Sequence, residues 1–320
     1  MSVREHRIVV LTGGTGGAKL VRGLDRALGG AALTVIVNTG DDLDCWGLHV
    51  SPDIDSVTYA LADLLSRGRG WGIEADTFNC LDQMRRLGAS AWFQLGDRDL
   101  ALHLTRTQML RDGRTLTETT AQITQALALA ARILPMSDDR VETRVLTTKG
   151  ELSFQQYFVR ERFQPEVESV RFVGAENAKP APDVLAAISH ATAVVIAPSN
   201  PITSIGPILA VPGIRDALRR SHAPVIAVSP IVSGAAVSGP AGNLMKAAGL
   251  PVSIEGVAIA YADFLDVLIA DALDVGSKLR DADAELLFTE TIMRSDEDKL
   301  RLAEFVIDAA SNSRGKAAVG

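Results

Sequence analysis

The chain has 320 residues, 47% hydrophobic and 22% charged, with a net charge of −7 from 32 Lys+Arg against 39 Asp+Glu. This is an ordinary globular composition, which excludes disorder over most of the length, and the acidic balance argues against nucleic acid as a partner. No stretch reaches the roughly 18 apolar residues a membrane-spanning helix needs, so no membrane association is expected.

The first residues, Met1-Ser2-Val3-Arg4-Glu5-His6, carry charge where a signal peptide would be apolar. Only Cys45 and Cys80 are present, so a reducing, cytoplasmic location is expected. The apolar run from Ile8 to Leu11 reads as a buried parallel strand. Gly13-Gly14-Thr15-Gly16-Gly17 follows it, and Leu20, Leu24 and Leu28 then recur at helical spacing. Strand, Gly-rich turn and helix together let backbone amides approach a phosphate at a helix N-terminus. The spacing matches neither the dinucleotide fingerprint nor the P-loop, and a merely tight turn is the alternative.

A second strand is expected at Leu33–Val37. Ser51-Pro52 then opens a helix, with Ser51 as N-cap and Pro52 at the first helical position. Its apolar face would be Ile54, Val57, Leu61 and Leu64. Residues 74–134 read as a mainly helical insertion, placed as a lid over one end of the sheet. Strand-like runs return at Glu142–Thr148, Phe154–Val159 and Ser169–Val173, then at Ala193–Ala197 and Pro224–Val228, with helix-like Gly213–Arg220 between the last two. The alternation predicts an α/β fold: a Rossmann-like, doubly wound, mostly parallel sheet in a single domain over 1–312. Residues 313–320 read as a frayed tail.

Five carboxylates, Asp41, Asp42, Asp44, Asp53 and Asp55, fall within fifteen residues just past the second strand. Open α/β sheets bind ligands at that end of their strands. Oxygen ligands of this kind suit Mg²⁺, which commonly uses one or two carboxylates and substrate phosphates; a solvated, helix-capping face is the alternative. Gly96-Asp97-Arg98-Asp99 is either a structural ion-pair knot or a substrate contact. His103, four residues beyond Asp99, is either structural or a proton shuttle. Pro135–Arg140 reads as a turn and a candidate lid hinge. Two polar loops follow later strands, Pro198–Pro207 and the 229–242 segment, and offer hydroxyls, an amide and backbone N–H groups to a nucleotide.

Several of these blocks share one order and spacing. They are the Gly13–Gly17 turn, Asn38-Thr39-Gly40-Asp41-Asp42, Ser51-Pro52-Asp53-Ile54-Asp55-Ser56-Val57 and Arg69-Gly70-Trp71-Gly72-Ile73-Glu74. Leu95–Asp99, Leu134–Asp139, Ala197–Pro207 and Ser229-Pro230-Ile231 continue the series. Over nearly its whole length the chain resembles the 2-phospho-L-lactate transferases (CofD/FbiA type) of coenzyme F-420 biosynthesis. The resemblance implies transfer of a phospho-three-carbon acid, 2-phospho-L-lactate or phosphoenolpyruvate, from its guanosine-diphosphate-activated form. The acceptor would be the ribityl hydroxyl of the deazaflavin Fo, with release of GMP, a need for Mg²⁺ and a homodimeric assembly.

Carried over by motif, Asp41 and Asp55 are the candidate catalytic carboxylates, and Asp41, Asp53 and Asp55 the candidate metal ligands. Asp55, Gln94, Asp97 and Arg98 would contact the deazaflavin; Gln94 stands where many relatives carry a basic residue. Gly13, Gly14, Thr15, Gly16, Gly17, Lys19, Ser199, Asn200, Ser229 and Gly239 would hold the nucleotide. Trp71 is either a stacking platform for the deazaflavin or a core residue. A related gluconeogenesis-factor group shares the first turn but binds UDP-sugars as non-catalytic regulators. Its members carry a short Asp-Asp-Gly-Gly-Ser-type run where this chain has Gly40-Asp41-Asp42 and then Pro52-Asp53-Ile54-Asp55. A nicotinamide oxidoreductase would want different glycine spacing and an acidic residue where Asn38 ends the second strand.

Overall fold

A computed structural model describes residues 6–317. Its centre is a seven-stranded sheet in the order Glu285–Thr289, Val267–Asp271, Val225–Val228, Ala193–Ile196, Ile8–Thr12, Leu33–Val37, Arg132–Pro135. Every neighbouring pair is parallel, and Leu11 lies opposite both Ile36 and Ile196. Strand Ile8–Thr12 is therefore flanked on one side by the next strand in the chain and on the other by one from far downstream. That is a topological switch point, where the loops leaving adjacent strands diverge and open a crevice.

The strands read as unbroken apolar runs because both faces are covered. Val9, Leu11, Ile36, Val194 and Ile196 pack on one side beneath Val184–His190, Ile205–Ala210 and Ile254–Ala260. Ile8, Val10, Val35, Val195 and Ile226 pack on the other. There helix Gly14–Leu28 lies against both Pro52–Leu61 and Asp296–Ala317. The α/β architecture with a parallel, doubly covered sheet is thus the one the alternation predicts.

Several elements differ from the expectation. The segment over 74–134 contains helices Asn79–Arg86, Asp97–Arg111 and Leu116–Ala126, then gives way to the edge strand Arg132–Pro135. The Val267–Asp271 and Glu285–Thr289 strands were not anticipated. Phe154–Val159 is no strand: Gln156–Arg160 forms a π-helical turn. Phe154, Tyr157 and Phe158 stand at i, i+3 and i+4, a helical spacing, which turns Phe154 and Tyr157 together into a small core with Val145 and Leu244. The flanking strands Glu142–Thr147, Gly150–Ser153 and Val167–Val173 form a separate antiparallel sheet. The last helix runs through Ala317, into the segment read as a tail, and 318–320 lie outside the described residues. Among the described residues no helix is long and apolar enough to cross a membrane.

Candidate active site

A cavity of about 1010 Å³ opens at the carboxyl ends of the strands, over the switch point. Its floor is the Gly-rich turn. Gly14 has φ +70° with open space where a Cβ would go, so the demand there is conformational. Gly17 is different: a Cβ would lie 1.9 Å from Thr12 Oγ1, and the residue does not line the cavity. Gly17 is thus required by packing against Thr12 and Ser199, not by an opening onto the cavity.

Ser199 stitches the two diverging loops together. Its Oγ accepts from the Gly13 N–H at 3.3 Å and donates to the Gly13 carbonyl at 2.7 Å. The Gly14 N–H is engaged by Asp53. Thr15 and Gly16 remain on the cavity wall, at a helix start whose first amides have no intrahelical acceptor. Asn200 Oδ1 accepts from the Ile202 N–H at 2.9 Å and shapes its own loop. Ser229 Oγ likewise spans its turn, donating to the Ile231 carbonyl at 2.9 Å. Asn200, Ser229 and Gly239 all line the cavity, as does half-buried Lys19. Burial, and then Lys299, lowers the Lys19 pKa, and its Nζ donates to the Met293 carbonyl at 3.4 Å.

The five clustered carboxylates separate into distinct environments. Asp44 is exposed. Asp42 accepts from Ser51 Oγ at 2.7 Å and lies 3.0 Å from His49 Nε2. Ser51 does occupy the N-cap with Pro52 behind it, but its hydroxyl serves Asp42 and not the helix. Asp41, Asp53 and Asp55 are buried on the cavity wall.

Asp41 Oδ1 has no hydrogen-bond partner. Burial, followed by the charge of Asp53, raises the Asp41 pKa well above the usual carboxylate range. Asp53 accepts from Asn38 Nδ2 at 2.9 Å. Burial still pushes its pKa up to about 6, against the Asn38 and Gly14 hydrogen bonds. Asp55 instead meets Arg106, both guanidinium NH groups donating to its two oxygens. Arg106 is only 1% exposed. His103, also buried, has Nδ1 3.7 Å from Asp55 Oδ2 and Nε2 3.1 Å from Asp99 Oδ1, the latter off the line of a hydrogen bond. Tyr59 donates a short hydrogen bond to Asp99.

Among the described residues no three His, Cys, Asp or Glu side chains converge enough to hold a metal ion alone. The donor set nevertheless fits Mg²⁺ bound with substrate phosphates. Asp41 and Asp53 are interacting carboxylates, and Asp41 keeps a buried oxygen that needs a partner.

Asp97 and Arg98 do not line the cavity. Asp97 accepts from Thr77 Oγ1 at 2.6 Å and from the Asn79 and Cys80 N–H groups at 3.0 and 2.9 Å, holding the start of helix Asn79–Arg86. The Thr77 bond leads in lowering its pKa to about 2. Arg98 donates to the Glu74 carbonyl at 3.0 Å. The block is a structural knot built from caps, the first of the two alternatives the sequence left open, and its hydrogen bonds give neither residue a place on the cavity wall. Ser137–Asp139 is tied down in the same way. Ser137 Oγ donates to the Lys179 carbonyl at 2.6 Å, and Asp138 accepts from the Thr117 N–H at 2.7 Å. These bonds fix the turn to Thr117 and Lys179.

Gln94 does line the cavity. Trp71 sits on its rim, exposed, with the Arg69 guanidinium 5.4 Å from its ring centroid, so it is not a core residue. Sequence reasoning missed Phe154, Phe158 and Arg162, and the Thr291–Arg294 loop, all on the wall. The helical spacing of Phe154 and Phe158 was a usable signal for the first group. The Thr291 loop would have followed from reading Glu285–Thr289 as a strand.

Residues 8–310 match the family model described as 2-phospho-L-lactate transferase CofD. A 2-phospho-L-lactate transferase of Methanosarcina mazei is 43% identical over 304 residues, 94% of this chain and all of the relative. A phosphoenolpyruvate transferase of Streptomyces griseus is 46% identical over 277 residues, covering 85% of this chain and 87% of the relative. Among solved structures, a Bacillus halodurans protein described as a member of the upf0052 family aligns with TM-score 0.63 and 18% identity. It covers 96% of this chain and all of its own, a likeness of fold alone.

Proposed function

The chain belongs to the 2-phospho-L-lactate transferase (CofD) family, and from that premise we propose that it moves a phosphorylated three-carbon acid from a guanosine-diphosphate-activated donor to the terminal ribityl hydroxyl of the deazaflavin Fo. GMP leaves as the new phosphodiester forms, and the product enters coenzyme F-420 biosynthesis. One observation carries this best: the Gly13–Gly16 turn and the unpaired carboxylates Asp41 and Asp53 share a single cavity at the switch point.

In this reading the turn and Lys19 take the diphosphate, beside the 198–204 and 229–241 loops. Asp41 and Asp53 would hold Mg²⁺, which neutralises charge on the phosphates. The attacking hydroxyl would donate to Asp55, whose carboxylate Arg106 holds in one orientation. Chemistry of this kind is mostly positioning and electrostatics, and the buried carboxylates and the Asp55–Arg106 pair support that reading. The flat deazaflavin would lie toward Gln94 and Trp71.

The test is a product assay. Purified protein, Fo, Mg²⁺, GTP and a guanylyltransferase are incubated with 2-phospho-L-lactate, phosphoenolpyruvate or 3-phosphoglycerate in turn, and deazaflavin products are resolved by mass. A new deazaflavin product with one of the acids is expected, and it vanishes when Mg²⁺ is chelated. Stabilisation by a UDP-sugar, but not by GDP with Mg²⁺, together with no product, would overturn the proposal.

A further inference from the structure

The segment after strand Gly150–Ser153 is built at a conformational cost that folding alone does not explain. In the π-helical turn Gln156–Arg160 the Glu161 N–H reaches the Gln156 carbonyl at 2.9 Å. Tyr157, fully buried beside Val145 and Leu244, anchors it. The Phe163 N–H then folds back to the Tyr157 carbonyl at 2.8 Å. Closing that loop leaves two consecutive side-chain-bearing residues left-handed, Arg162 at φ +51° and Phe163 at φ +46°.

L-residues other than Gly and Asn rarely adopt this conformation. Where they do, the surroundings enforce it, and such positions cluster at functional sites. Here the enforcing contacts are aromatic. Phe154 stacks on Phe158 at 5.6 Å and 11°, and Phe158 on Phe163 at 5.9 Å and 20°. Across the cavity mouth the loop comes close, a Cβ on Gly239 falling 3.7 Å from Phe158 Cε2.

The outcome of this construction is one guanidinium on the cavity wall. Arg162 is exposed and lines the cavity, and among the described residues no carboxylate pairs with it. Its neighbours differ. Arg160 pairs with Glu161, and Arg144 with Glu142. Lys19 and Arg69 on the wall are engaged, by the Met293 and Ile73 carbonyls. Arg294 is exposed on the same wall, like Arg162 without a carboxylate partner among the described residues, but its backbone is not left-handed. In a chain of net charge −7, Arg162 is an exposed positive charge on the cavity wall, held in a left-handed conformation.

We propose that Arg162 binds the donor: its guanidinium holds anionic oxygens, phosphate or carboxylate, of the activated three-carbon acid. The planar fork suits either group. This rests on the donor assignment of the proposed function. Arg162→Gln raises the donor KM about tenfold or more, as expected for loss of a charge-assisted hydrogen bond, with a smaller fall in kcat. Arg162→Lys recovers part of that loss. Arg162→Gly gives the same KM increase and also a higher Tm, because glycine adopts the left-handed conformation without strain.

Calorimetric titration with GDP separates the two kinds of oxygen. Equal weakening of GDP and donor assigns the phosphates; weakening of the donor alone assigns the carboxylate. The proposal is overturned if Arg162→Gln and Arg162→Gly both keep donor KM and GDP affinity within about twofold of the parent. A parent protein that neither binds GDP nor transfers instead removes the donor assignment itself, and the proposal with it.

Discussion

Two carboxylate sites face the same cavity and are built on opposite principles. Asp55 is paired: Arg106, brought from helix Asp97–Arg111, donates one hydrogen bond to each of its oxygens while buried. Asp41 and Asp53 are left without a cation, so burial lifts their pKa values, helped by the charge of Asp53 at Asp41 and by Asp42 and Asp55 at Asp53. Both arrangements begin with the same side chain in a dry environment. A buried carboxylate is costly unless paired, so the protein supplies a counter-charge at one and withholds it at the other. The paired site holds its carboxylate in one orientation against a buried guanidinium. The unpaired site stores a penalty that a bound cation would relieve.

The contrast should show first in stability. Arg106→Ala leaves Asp55 buried without its partner, and breaking such a pair costs about 3–5 kcal/mol. Urea unfolding should resolve a loss of that size. A change within experimental error would mean that water already reaches Asp55, and the distinction between the two sites would collapse.

Removing charge at the unpaired site should behave in the opposite way. Asp41→Asn is expected to lower turnover about a hundredfold or more, roughly 2.7 kcal/mol of transition-state stabilisation, without the stability loss of Arg106→Ala. Near-normal turnover would reduce Asp41 to a bystander.

The finest comparison lies in pH. The folded pKa of Asp53 is raised to about 6 from 3.8. The folded state therefore holds its proton where the unfolded chain has lost it. Stability from this group is present below about pH 4 and is lost as pH rises through about 6. Asp53→Asn should remove that loss. In metal-free buffer it should be more stable than the parent at pH 7.5, by on the order of 1–3 kcal/mol, and the gain should vanish near pH 4. A gain that does not vary with pH would show that the Asp53 charge is not the cause.

Some of this was legible in the chain because local rules suffice. Ile8–Leu11, Leu33–Val37 and Ala193–Ala197 are unbroken apolar runs, as strands buried on both faces must be, and polar loops after such strands mark the ligand end of the sheet. Those rules located Gly13–Gly16, Asp41, Asp53, Asp55, Ser199 and Gly239 on what proved to be one cavity wall. The family resemblance added Gln94, which is there; Asp97 and Arg98, left open between knot and substrate contact, are not. A charged block beside a site looks the same in one dimension whether it faces the ligand or caps a helix. Only the position of Thr77, Asn79 and Cys80 around Asp97 decides.

What the sequence determined by itself was the alternation of buried strands and covering helices, the Gly-rich turn at the first helix and the acid-rich loop after the second strand. Each is a matter of neighbouring residues, whose periodicity and backbone freedom act over a few ångströms. What the tertiary structure decided was the electrostatic surroundings of those acids. The partner of Asp55 lies 51 residues away, and the repulsion on Asp41 arises from a helix that begins only after an intervening hairpin. Desolvation and Coulomb interaction depend on distance in space and on excluded water, and neither quantity exists until the chain has packed.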